Sequence, residues 1–145
     1  MKLSDEAALT DRLKAAEALN PVINWPSKTL TRIPTFPESG ISSRPPRWER
    51  FDEYWQRSPL SLVGNVTTPT MLIIGEEERR TPISETEQFY QALKLRGVDS
   101  VMVRLPDSAH GIASRPSRLI NKVGHTLAWF ERYRTSRGDL DSGEQ

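Results

Sequence analysis

Two short stretches of this chain hold side chains able to move a proton. Gly75-Glu76-Glu77-Glu78-Arg79-Arg80-Thr81-Pro82 carries three consecutive carboxylates, and Asp107-Ser108-Ala109-His110-Gly111 carries a histidine. Imidazole is the side chain whose unperturbed titration lies near neutral pH. A carboxylate beside it can hold one ring tautomer and stabilise the imidazolium, the acid–base half of a Ser-His-Asp system. At this level Glu76, Glu77 and Glu78 all remain open for the carboxylate. The chemistry requires a fold that brings the two stretches together.

The flanking residues supply that fold. Thr70-Met71-Leu72-Ile73-Ile74-Gly75 is a continuous apolar run between Pro69 and a charged stretch, the pattern of a strand buried on both faces. Ser84-Glu85-Thr86-Glu87 has the form of a capping box. Phe89, Tyr90, Leu93 and Leu95 supply a helical stripe, and Gly97 is placed to end the helix in the left-handed conformation. Val101, Val103 and Leu105 alternate as in a strand. A last helix starts near Pro116, with Leu119, Ile120, Val123, Leu127 and Phe130 as its expected core face. Strand, helix, strand, helix in that order predicts a parallel sheet with helices packed on it, an α/β fold. In such folds functional groups sit on loops at the carboxyl ends of strands. The carboxylate stretch and the histidine stretch are two such loops.

The first part of the chain is less regular. Ala7, Ala8, Leu9, Leu13 and Ala16 predict a short helix, followed by an extended segment at Pro21-Val22-Ile23-Asn24-Trp25. Residues 26–47 hold five of the 11 prolines and show no period, which predicts a Pro-rich loop. Phe51, Tyr54 and Trp55 fall at helical spacing. The polar residues 134–145 are expected to form a disordered tail.

Composition removes several function classes. The chain has 145 residues, enough for one domain. With 20 Lys+Arg against 19 Asp+Glu there is no basic excess, so no nucleic-acid partner is expected. No cysteine is present, which excludes disulfides, thiolate metal sites and a cysteine nucleophile. Two histidines are too few for a histidine metal cluster, and no metal or other cofactor is expected. No apolar run reaches the roughly 18 residues of a membrane span, so no membrane partner is expected and a cytoplasmic location is. His125, between Val123 and Leu127, reads as a helix residue without a chemical role. The four tryptophans read as packing.

With these residues in place the chain resembles the C-terminal part of the prolyl oligopeptidase family of serine peptidases, in its acylaminoacyl-peptidase and dipeptidyl-peptidase branch. The stretches that carry the resemblance are Tyr54-Trp55-Gln56-Arg57-Ser58-Pro59-Leu60, Asn65-Val66-Thr67-Thr68-Pro69-Thr70, the loop from Gly75 to Pro82, Glu87-Gln88-Phe89-Tyr90-Gln91-Ala92-Leu93-Lys94, and His110-Gly111. Thr10 to Ala16 and Pro21 to Trp25 look like the family segment just after its nucleophile helix. The resemblance implies a partial α/β-hydrolase fold over residues 1–133, the C-terminal half of a mostly parallel sheet. It implies that His110 stands at the catalytic histidine and Glu78 at the catalytic acid, where the family usually has aspartate.

A nucleophile is the missing member. α/β-Hydrolases run Ser, acid, His, with the serine on a Gly-x-Ser-x-Gly elbow. This chain has no such elbow, and the resemblance implies that it begins after one. The implied function is a serine-type peptidase or acyl-peptide hydrolase fragment, with a peptide or acyl-peptide substrate in the full-length enzyme. The isolated chain is expected to be inactive. The alternative is a non-catalytic interaction or dimerisation module, in which an exposed sheet edge and apolar face favour a homo-oligomer.

Overall fold

The computed structural model describes residues 12–31 and 47–134. Three strands form one sheet in the order β1-β2-β3: β1 is Ala16–Leu19, β2 is Thr70–Gly75 and β3 is Ser100–Leu105. Both pairings are parallel, with Ala16 opposite Thr70 and Thr70 opposite Ser100. Among the described residues four α-helices accompany them, α1 (Trp25–Thr31), α2 (Phe51–Gln56), α3 (Ile83–Leu95) and α4 (Pro116–Arg134), with three 3-10 turns at Arg47–Arg50, Pro59–Asn65 and Ile112–Ser114.

β2 is buried along its whole length, as its unbroken apolar run predicts. Its side chains alternate between two cores. Leu72 packs with Ala18, Ile23, Val66, Phe89, Leu93 and Val98 on the face covered by α3. Met71 and Ile73 pack with Val103, Leu105, Ile112 and Trp129 on the face covered by α4. The α/β fold class expected from the sequence is therefore present.

Several local expectations are corrected. Ala16 was expected at the end of a helix, yet it opens β1, because Ala16 and Ala18 turn inward at period two and the segment pairs with β2. Tertiary pairing overrides the helical preference of alanine here. Leu13, expected in the same helix, lies with residues 12–15 in an irregular segment leading into β1, and residues 1–11 lie outside the described residues. The loop expected at 26–47 begins as helix α1. Asn24 Oδ1 accepts the Ser27 amide at 3.3 Å as a cap, and Pro26 sits in the first turn, where its missing N–H costs nothing. Residues 32–46, and the tail beyond Arg134, lie outside the described residues.

The capping box is not formed either. α3 starts at Ile83 after Pro82, with no side-chain cap. Glu85 is instead fully buried, and its Oε2 accepts the Asn24 amide at 2.8 Å. Gly97 does take the left-handed conformation, with φ 72°. Leu95 is exposed rather than part of the buried stripe. The α4 residues expected in the core (Leu119, Ile120, Val123, Leu127 and Phe130) are also exposed, and Trp129 is the residue this helix buries. Periodicity locates an apolar face but not the partner that covers it.

Candidate active site

The site is built on the carboxyl ends of β2 and β3, where Gly75 lies opposite Leu105. The Glu76 amide donates to the Leu105 carbonyl at 3.0 Å, and the Glu77 amide to the Ser108 carbonyl at 2.9 Å. These bonds lock the two loops side by side. Gly75 permits the approach: a Cβ there would stand 2.1 Å from the Ser108 carbonyl oxygen.

A turn then chooses among the three carboxylates. The Glu78 amide donates back to the Gly75 carbonyl at 3.1 Å, which points Glu78 inward. Its Oε2 lies 2.5 Å from His110 Nδ1. Its Oε1 accepts the Arg80 amide at 2.6 Å and the Thr81 amide at 3.1 Å. Glu78 is buried, whereas the His110 side chain is 44% exposed. Glu76 and Glu77 are exposed, and Glu76 faces Arg104 at 3.6 Å. A glutamate has one methylene more than the usual aspartate, and the loop accommodates it, since three hydrogen bonds fix its carboxylate.

This geometry leaves His110 Nδ1 paired with the acid and Nε2 as the nitrogen able to take a proton. A cavity of about 740 Å³ opens beside it, lined by Glu77, Glu78, Arg79, Arg80, Ala109, His110 and Gly111. Ser108, in the same loop, is fully buried and donates to the Pro106 carbonyl at 3.0 Å, so it is not presented to the histidine. Among the described residues no three His, Cys, Asp or Glu side chains converge as a metal site. His125 lies on α4, away from this loop pair in the chain.

One residue that sequence reasoning passed over belongs here. Asn20, just past β1, donates from Nδ2 to the His110 carbonyl at 3.1 Å. Its only sequence signal is an asparagine, a residue that tolerates left-handed backbone, at the end of a strand.

Residues 6–137 match the profile of the prolyl oligopeptidase family. The chain belongs to that family. It is 29% identical over 126 residues to a Bacillus subtilis protein named uncharacterized peptidase YuxL, covering 86% of this chain and 19% of that one. It is 31% identical over 130 residues to the acylamino-acid-releasing enzyme of Arabidopsis thaliana, covering 85% and 17%. A solved acylaminoacyl peptidase in complex with Z-Gly-Gly-Phe-chloromethyl ketone superposes with a TM-score of 0.75 at 25% identity, covering 88% of this chain and 21% of that chain. The chain thus spans about a fifth of the length of these relatives. Among the described residues no helix is long and apolar enough to cross a membrane.

Proposed function

We propose that this chain is the acid–base part of a serine peptidase or acyl-peptide hydrolase site, with Glu78 as the acid and His110 as the general base. The observation that carries the reading is the 2.5 Å contact between Glu78 Oε2 and His110 Nδ1, with the carboxylate buried and the imidazole open to a cavity. The reaction is acyl transfer. A serine attacks a peptide or ester carbonyl, His110 takes its proton at Nε2 and returns it to the leaving group, and Glu78 holds the ring. The serine comes from outside these 145 residues, in keeping with the missing Gly-x-Ser-x-Gly elbow. The substrate class is a peptide or acyl-peptide, as the name of the Arabidopsis relative suggests.

Hydrolysis of a chromogenic N-acyl-amino-acid ester tests this. The chain alone is expected to show no turnover. A form extended by a family segment bearing the nucleophile is expected to turn over and to lose at least about a thousandfold on His110→Ala. Full turnover by the extended form after His110→Ala overturns the reading.

A second reading, a module that pairs with a second copy of itself, is supported by the open apolar face of α4. A clean monomer in sedimentation at high concentration counts against it.

A further inference from the structure

We infer that Asn20 is a positioning residue for His110, an inference that rests on the proton-transfer role proposed for the histidine. Asn20 has φ 43°, a left-handed backbone that non-glycine residues rarely adopt. It precedes Pro21, which narrows the backbone choices of its neighbour further. Its amide donates to the Ile73 carbonyl at 2.9 Å and so extends the β1–β2 ladder. An asparagine in such a turn ordinarily bonds its own backbone two residues on. Here the side chain reaches the His110 carbonyl, 90 residues away in sequence, at 3.1 Å.

The residue is nine-tenths buried, and its Oδ1 is buried without a partner among the described residues. Strain and an unpaired buried acceptor are both costly, and costly features persist where the surroundings hold them for a purpose. The purpose is legible in the loop. His110 is followed by Gly111, the residue with the most backbone freedom. Glu78 holds the ring at Nδ1 and nothing in that contact holds the peptide behind it. Asn20 supplies the second point, so His110 is held by its ring at Nδ1 and by its main-chain carbonyl, with Nε2 left open.

Nuclear magnetic resonance of the ring nitrogens and the Nδ1 proton of His110, in the full chain at fixed pH, tests this. The second histidine, His125, is an internal control. Asn20→Asp keeps the shape and sets an acceptor against the carbonyl. Asn20→Gly keeps the backbone conformation and removes the side chain. Both are expected to lose the low-field Nδ1 proton signal through faster exchange, with His125 unchanged. Folded variants with His110 signals at their native positions overturn the inference. Should both variants fail to fold, the native chain decides: slow exchange of the Asn20 side-chain amide supports the contact, and exchange at the rate of an exposed amide overturns it. Glu78→Gln separates the two claims. If it abolishes the signal while the Asn20 variants keep it, the Asn20 inference alone fails. If the native chain lacks the signal, the Glu78–His110 reading fails and takes the inference with it.

Discussion

At the scale of single residues, the Glu78 carboxylate is held by three bonds, two of them from the backbone of its own loop. The loop is therefore fitted to glutamate. Glu78→Asp withdraws the carboxylate by one methylene from His110. In the extended, active form it is expected to lower kcat/KM by about a hundredfold, the scale of a misplacement near 1 Å. An aspartate variant as fast as the parent argues against that fit. Tyr133 makes a separate prediction. Burial first, then its hydrogen bond to Asp99, push its phenol from 10.0 up to about 12. The raised value means that the fold favours the neutral phenol. Its contribution to stability is present below pH 10 and is lost as pH rises through about 12. Tyr133→Phe is expected to flatten that alkaline loss in denaturation curves taken across this window. Residue type and spacing pointed to His110 and to a carboxylate among Glu76, Glu77 and Glu78, and only the resemblance singled out Glu78. Asn20 was not legible, because its role depends on a partner far along the chain.

At the scale of elements, the β2–β3 pair sets the site. Gly75→Ala places a methyl group against the Ser108 backbone, which cannot swing away as a side chain can. The expected cost is about 1–3 kcal/mol of stability, read by denaturant unfolding, together with loss of the His110–Glu78 contact. An unchanged midpoint and an intact contact would show that the loops have slack. Elements with long uniform patterns were legible: β2, α3 and α4 all lie where periodicity put them. β1 and α1 were not. β1 is short and alanine-rich, and only pairing with β2 makes it a strand. The box at Ser84 does not form because α3 begins one residue earlier, at Ile83 after Pro82, which puts Ser84 inside the helix rather than at its cap.

At the scale of the molecule, α4 buries a single residue, Trp129, with Tyr133 packed beside it and bonded to Asp99. Trp129 is buried, stacks edge-on with Tyr133, and donates from Nε1 to the Ala16 carbonyl at 3.0 Å. Trp129→Ala is expected to cost about 3–5 kcal/mol. Val123→Asp, on the open face, is expected to stay within about 0.5 kcal/mol. Thermal unfolding of the two variants side by side checks this, and a large loss for Val123→Asp would mean that the face is covered in solution.

The sequence by itself determined the α/β class, the family and the loops that bear the proton-moving groups. Those features follow from local periodicity and residue type, which act over a few positions. The tertiary structure decided which of three adjacent carboxylates meets His110, which residue holds the histidine from behind, and which face of α4 is left open. Each of these depends on contacts between segments far apart in the chain, and a pattern of nearest neighbours carries no record of them.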